Sequence, residues 1–282
     1  MTGPLRDRDW FEQQYNPRLT VTDVQGIFDR WTAVSAATRK GRPCRLDLPY
    51  GPHPREVIDL FPADRPRGAL VFLHGGYWRA LSTKEHSFVA PAWLEAGFSV
   101  FLVNYPLCPQ VTIKDIVASC RRAMATLWPM LGEAERRHVL VAGHSAGGYL
   151  AAAMAATDWA APGLPAVALS GALSLSGVFD LPPLLNTSMN ELIRLTPETA
   201  RDWSLTRAAP ATTVPLSLAL GADEPGEFHR QSFALAEAWH MPAGSVQALA
   251  GHNHFTIVED FADPAGRSFA LAMQRVGLAP TD

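Results

Sequence analysis

The chain has 282 residues, of which 48% are hydrophobic and 18% charged, and its formal net charge is −3. This composition supplies a large hydrophobic core and excludes a disordered chain. The small net charge gives no electrostatic basis for binding nucleic acid or an anionic membrane, so we expect a small-molecule substrate and neither of these partners.

Cysteine content and hydropathy indicate the cellular context. Cys44, Cys108 and Cys120 are an odd number without metal-ligand spacing, which favours a reducing compartment over a disulfide framework. No stretch reaches the roughly 18 uninterrupted apolar residues of a membrane span. The charged beginning of the chain predicts no signal peptide. We therefore expect a cytoplasmic protein without membrane association; the sequence leaves its oligomeric state, including a homodimer, open.

The N-terminal segment, residues 1–40, is predicted to be helical in part. Its apolar residues recur at helical spacing: Val24, Ile27, Phe28 and Trp31. This segment either packs against the edge of the core or caps a pocket, and packing is the simpler interpretation. Next, residues 44–50 and 57–61 flank a Gly-Pro-His-Pro turn, which predicts an antiparallel hairpin at a sheet edge.

From residue 69 onward, apolar runs alternate with amphipathic stretches. Strands are predicted within residues 69–73, 99–104, 139–142, 166–175, 216–220 and 246–249, and helices at 116–130, 149–154, 228–239 and 266–276. Such alternation gives a mostly parallel central sheet flanked by helices. We predict a single α/β domain over residues 1–282, with residues 181–210 as a small lid insertion at the carboxyl edge of the sheet.

A Gly-x-Ser-x-Gly pentapeptide, residues 143–147, follows one of the predicted strands. A serine on a sharp strand-to-helix turn needs small neighbours, because a Cβ there would collide with the following helix. This context predicts Ser145 as an exposed nucleophile, with His144 beside it as a candidate substrate contact. The pentapeptide alone is equally compatible with a chance glycine turn.

A second motif, His74-Gly75-Gly76-Tyr77-Trp78, follows the strand predicted over residues 69–73. Its glycines let the backbone pass close to the serine, so we expect Gly75 and Gly76 to shape an oxyanion hole. The expected donors are the N–H groups of Gly76, Tyr77 and Ala146. The two aromatic side chains, Tyr77 and Trp78, either contact the substrate or pack in the core, and the residues leave both readings open.

An acid and an imidazole follow the last two predicted strands. Asp223 and Glu224 compete for the role of the acid, and the spacing from the preceding glycine favours Glu224. His254 is the expected base, and His252 is expected to point elsewhere. Two histidines with one spacer also resemble metal ligands, but no carboxylate or cysteine lies at ligand spacing, so we expect neither a metal nor a cofactor.

The order serine, acid, histidine is that of the α/β-hydrolase fold. With this order, the chain resembles the kynurenine formamidase (arylformamidase) branch of that superfamily. The motifs that carry the resemblance are residues 74–78, 143–147, 179–181, 188–190, 227–232 and 253–255. The resemblance implies Ser145 as nucleophile, His254 as base and residue 224 as acid. Family members with a eukaryotic role in tryptophan catabolism have Asp at this last position, so Glu224 leaves the substrate in doubt.

The expected function is a serine hydrolase that removes a small, formyl-type acyl group from an aromatic amine, as in N-formylkynurenine. A carboxylesterase acting on small acyl esters uses the same triad and is the first alternative. A non-catalytic receptor or scaffold is the alternative of another class. Such proteins usually lack the serine or the histidine, whereas this sequence has both.

Overall fold

The structure is a computed structural model that describes residues 6–161 and 163–278. Its strands are, in chain order, β1 Arg45–Pro49, β2 Val57–Phe61, β3 Gly68–Leu73, β4 Phe98–Val103, β5 Val139–His144, β6 Gly171–Leu175, β7 Leu216–Gly221 and β8 Val246–Leu249. They form one eight-stranded sheet in the order β1-β2-β4-β3-β5-β6-β7-β8. This mostly parallel sheet confirms the predicted α/β class.

Helices connect and cover the strands. They are α1 Arg8–Tyr15, α2 Val24–Gly41, α3 Ala90–Glu95, α4 Ile113–Leu127, α5 Glu133–Arg136, α6 Ala146–Ala155, α7 Asn190–Ile193, α8 Pro197–Asp202, α9 Gly226–Ala238, α10 Thr256–Phe261 and α11 Arg267–Arg275. The helix predicted over residues 116–130 ends earlier as an α-helix, and its last turn is a 3-10 helix, Trp128–Met130, that contains Pro129. Proline lacks the N–H that a continuing α-helix needs.

The predicted hairpin at the sheet edge is present: β1 pairs with β2 and β2 with β4, both antiparallel. The strands from β3 to β8 pair in parallel. In-register pairing aligns Leu73 of β3 with Gly143 of β5, so the two glycine-containing turns leave the sheet side by side. The carboxyl ends of these central strands therefore gather the predicted site residues at one edge.

Two hydrophobic clusters cover the two faces of the sheet. Along β3, Val71 and Leu73 contribute to one cluster and Leu70 and Phe72 to the other, as alternation on a strand requires. Helices α4, α6 and α9 cover the first face, and α2, α3, α10 and α11 cover the second. None of the helices in the described ranges combines the length and apolar character needed to cross a bilayer.

Candidate active site

Ser145 lies on a strained turn between β5 and α6. Its backbone angles are φ 55° and ψ −117°, a conformation that side-chain-bearing residues rarely adopt. The turn is fixed by a hydrogen bond from the Ser145 amide to the carbonyl of Leu175, N···O 2.7 Å. A Cβ added at Gly143 would overlap the Gly147 carbonyl, and one at Gly147 would overlap the Leu73 carbonyl. The glycines are therefore required by backbone contacts, as the spacing predicted.

Glu224 contacts His254, whereas Asp223 is exposed. The His254 Nδ1 lies 2.7 Å from Glu224 Oε2, and both side chains are almost completely buried. The other carboxylate oxygen accepts hydrogen bonds from Ser176 Oγ at 2.5 Å and the Gly221 amide at 2.6 Å. These two donors fix the orientation of the carboxylate toward the imidazole.

The His254 ring lies next to two other rings and lines a cavity. The ring centroids of Phe228 and His144 lie 4.6 and 4.8 Å from that of His254. Both Ser145 and His254 line the same cavity. Within the described residues, no hydrogen bond joins the Ser145 hydroxyl to His254 Nε2, a contact that often tightens only when a substrate is bound.

Two of the expected oxyanion donors line the same cavity as Ser145, and the third follows it directly in the chain. Gly76 and Tyr77 line the cavity with Ser145, and Ala146 is the first residue of α6. Across the described parts of the chain, no hydrogen bond uses the amide N–H groups of Gly76, Tyr77 or Ala146. Gly75 has a spacing role, because a Cβ there would lie 3.0 Å from His144 Nδ1 and 3.3 Å from Ser145 Cβ.

The cavity has a volume of about 320 Å³ and an aromatic lining. The N-terminal segment, the turn after β3, the Ser145 turn, the segment between β6 and β7 and the loop after β8 all contribute residues to it. They are Asn16, Pro17, Arg18, Phe28, Trp31, Gly76, Tyr77, Arg79, Ala80, Leu81, His144, Ser145, Met189, His254 and Phe255. The N-terminal segment thus lines the pocket as well as packing against the core, which resolves the alternative that the sequence left open.

Of the three residues expected to contact the substrate, only two line the cavity. Tyr77 and His144 line the cavity, but Trp78 does not: it is fully buried and packs edge-on against Tyr149 of α6, with centroids 5.3 Å apart. Of the two readings that the sequence left open for Trp78, the structure therefore shows core packing and not contact with the cavity, so the expected substrate contact of Trp78 is withdrawn. The Tyr77 hydroxyl donates to the carbonyl of Tyr15 on the N-terminal segment.

The remaining histidines near the cavity are neutral and structural. Burial, and secondly the neighbouring His254, holds the pKa of His144 well below its ordinary value. Its Nε2 faces the His254 carbonyl at 2.7 Å, which assigns the N–H to that nitrogen. His74 stacks on Tyr105, with centroids 4.2 Å apart, and burial holds its pKa well below the ordinary value. A neutral His144 places no positive charge against His254.

Two histidines on the loop after β8 have different partners. His252 Nε2 lies 3.4 Å from Asp260, away from Glu224. In the ranges 6–161 and 163–278, no group of three or more His, Cys, Asp or Glu side chains is arranged to hold a metal ion. The interpretation of His252 and His254 as a metal pair therefore has no support from the geometry.

Sequence reasoning missed Ser176 and the contributions of Arg18 and Arg79. Ser176 directly follows β6. Because the other site residues also follow strands, this position could have identified Ser176 from the sequence. The arginines sit outside any recognisable motif, and only the folded chain brings them to the cavity.

The fold and the site define the class of this protein. A family model described as alpha/beta hydrolase fold matches residues 70–227, more than half of the chain. The chain belongs to the alpha/beta hydrolase fold family, and together with the relatives described next this match makes it a hydrolase.

Individual proteins with similar sequences or structures indicate which hydrolases this chain resembles. The kynurenine formamidase of Salmo salar is 28% identical to this chain and covers 96% of it and 97% of its own length. That of Danio rerio has the same identity and coverage. A solved structure from Silicibacter sp. TM1040, named as a thioesterase candidate, is 29% identical, covers 92% of this chain and 97% of its own, and has a TM-score of 0.80. The predicted resemblance to kynurenine formamidases is confirmed.

Proposed function

We propose that this protein hydrolyses a small N-acyl, formyl-type amide of an aromatic amine by acyl transfer to Ser145. The observation that carries the proposal is the Glu224–His254 pair at the wall of a cavity that also contains Ser145. The full-length similarity to two kynurenine formamidases supports an amide of this kind as the substrate.

Each residue has a defined role in the proposed reaction. His254 takes the proton of the Ser145 hydroxyl as it attacks the formyl carbonyl, and Glu224 stabilises the resulting imidazolium. The Gly76, Tyr77 and Ala146 amides stabilise the oxyanion; one such donor contributes on the order of 3 kcal/mol. The imidazolium returns its proton to the departing amine, and a water molecule then hydrolyses the formyl-serine ester.

The aromatic lining fits the leaving group. Phe28, Trp31, Tyr77 and Phe255 all line the cavity beside Ser145 and His254. Aromatic side chains of this kind stack on an aniline ring, with roughly 0.5–1.5 kcal/mol for each favourable ring pair. The lining therefore supports an aryl amide over an aliphatic one.

The test compares Ser145→Ala with Ser217→Ala, a matched control at a buried serine on β7. Formanilide hydrolysis should fall by at least about 10³-fold in Ser145→Ala, since the nucleophile is removed, and stay at the wild-type level in the control. A fluorophosphonate probe should label Ser145 in the wild type, as read by peptide mass spectrometry. Wild-type hydrolysis by purified Ser145→Ala would refute the assignment.

An ester substrate is the second candidate, favoured by the thioesterase naming of the Silicibacter structure. Formanilide, phenyl acetate and a phenyl thioester share the aromatic ring and differ in the bond to be cleaved. Amides are the least reactive of the three, so hydrolysis of formanilide that depends on Ser145 supports the amidase. Cleavage of the two esters without formanilide hydrolysis would assign the protein as an esterase.

A further inference from the structure

The charged side chains that line the cavity are all positive. Arg18 and Arg79 are its permanently charged side chains, and no Asp or Glu is found among the described residues that line it. Both arginines are exposed, which places them at the mouth of the cavity. Glu224 and Glu12, the two acids whose charges act on Tyr77, have other partners: Glu224 contacts His254, and Glu12 accepts from the Ser188 amide.

Arg18 is held at the cavity by an aromatic contact and by the turn that carries it. Its guanidinium lies over the ring of Phe28, 4.8 Å from the centroid, and Phe28 itself lines the cavity. The 3-10 turn that carries it, Pro17–Leu19, is closed by the Leu19 amide bonding to the Asn16 carbonyl at 2.9 Å. A cation over an aromatic ring is favoured by about 0.5–1 kcal/mol at an exposed site, so this orientation is stabilised.

The segment before Arg18 is anchored to the body of the protein. The Tyr15 hydroxyl donates to Glu227 of α9, and Gln231 Nε2 donates to that hydroxyl at 3.1 Å. The Tyr15 carbonyl accepts from Tyr77, which lines the cavity. This anchor places Arg18 at a fixed position relative to Ser145.

Arg79 is held by the turn that supplies the oxyanion donors. Its amide bonds to the Gly76 carbonyl at 3.0 Å, and the next amide, of Ala80, bonds to the same carbonyl at 3.1 Å. The charge of Arg79 acts on the Tyr77 hydroxyl, where it opposes the rise in pKa that burial causes. For the chain within residues 6–161 and 163–278, neither Arg18 nor Arg79 forms an ion pair.

We infer that Arg18 and Arg79 form a binding site for a carboxylate on the substrate, remote from the acyl bond that is cleaved. That the bound carboxylate belongs to a substrate rests on the proposed function. That the cavity prefers a carboxylate over a neutral group rests on the lining of the cavity alone. An aromatic ring occupies the cavity, and its carboxylate reaches the two guanidinium groups at the mouth. A guanidinium presents paired N–H donors that match the two oxygens of a carboxylate.

Calorimetric titration of 3-phenylpropanoate and its neutral isostere 3-phenylpropanamide tests this preference without relying on catalysis. We expect the wild type to bind the acid about tenfold more tightly, and each of Arg18→Gln and Arg79→Gln to reduce that ratio about three- to fivefold, as exposed charge pairs do. Arg45→Gln on β1 removes the same charge from an exposed site at the sheet edge, and it should retain the wild-type ratio. Higher ionic strength should also lower the ratio.

Two results would overturn the inference: equal wild-type affinity for acid and amide, or an equal loss in Arg45→Gln, which would assign the preference to net charge. Circular dichroism of each variant confirms the fold. If Ser145 does not hydrolyse formanilide while the acid is still preferred, the proposed reaction fails and the anion site stands. If formanilide is hydrolysed and the preference is missing, the anion site alone fails.

Discussion

The floor and the roof of the cavity are stabilised in different ways. The floor, residues 143–147 and 221–224, is fixed mainly by backbone groups: sheet register, the Ser145 amide on the Leu175 carbonyl, and glycines in contact with carbonyls. The Ser176 hydroxyl adds a side-chain contact to Glu224. The roof, residues 8–19 and 188–189, is fixed by side chains that bond to distant parts of the chain, such as Tyr15 to Glu227 and Glu12 to Ser188.

This difference has a functional consequence. Acyl transfer requires the nucleophile and the oxyanion donors to be held within a fraction of an ångström, and a packed backbone provides that rigidity. Substrate binding tolerates small changes in geometry. Because the roof is held by side-chain contacts, substitutions there can alter substrate binding without unfolding the sheet. We therefore expect floor substitutions to abolish activity or stability and roof substitutions to have graded effects.

The largest effect should come from the acid of the floor. Glu224→Gln keeps the size of the side chain but removes the charge that orients His254 and stabilises its protonated form. We expect kcat to fall by about 10³–10⁴-fold, as with comparable triad acids. Asp223→Asn, one residue earlier and exposed, should keep wild-type kcat. A comparable loss in both variants would show that Glu224 has no special role.

A smaller effect on catalysis, but a large one on stability, is expected at Gly147. The added methyl group of Gly147→Ala would overlap the Leu73 carbonyl, so the turn must shift, and the free energy of unfolding should fall by about 3 kcal/mol. In Gly41→Ala the new Cβ at the end of α2 meets no atom within 4 Å, and stability should change by less than about 1 kcal/mol. Urea titration measures the free energy of unfolding of both variants. Equal values would contradict the claim that Gly147 is required by its contact with the Leu73 carbonyl.

The smallest effect is expected in the roof. Tyr15→Phe removes a hydroxyl from Glu227 and Gln231 while Glu227 keeps its bond from Arg230, Nε···Oε2 2.8 Å. The free energy of unfolding should fall by about 1 kcal/mol, and KM should rise a few-fold with kcat almost unchanged.

The control for this roof variant is Tyr149→Phe, which removes a buried hydroxyl that donates to the Trp203 carbonyl at 2.8 Å. It should cost similar stability and leave KM near the wild-type value, because it does not touch the N-terminal segment. A KM that rises equally in both variants would refute the separate role of the roof.

The sequence by itself determined the sheet and most of the floor. Buried parallel strands leave uninterrupted apolar runs, so every predicted strand range overlaps a strand of the structure. The glycine turns after β3 and β5 follow from local steric requirements, which act between residues close in sequence. These two turns made Ser145 and residues 74–78 recognisable as candidate site residues.

Only the tertiary structure decided that Glu224 and not Asp223 contacts His254, that Trp78 is buried, that Ser176 bonds to Glu224 and that the N-terminal segment lines the cavity. Each depends on side chains from distant parts of the chain meeting in space. Such contacts have no period and no fixed spacing, since packing and hydrogen bonding depend on the final geometry alone. The arginine pair at the cavity mouth belongs to this second group.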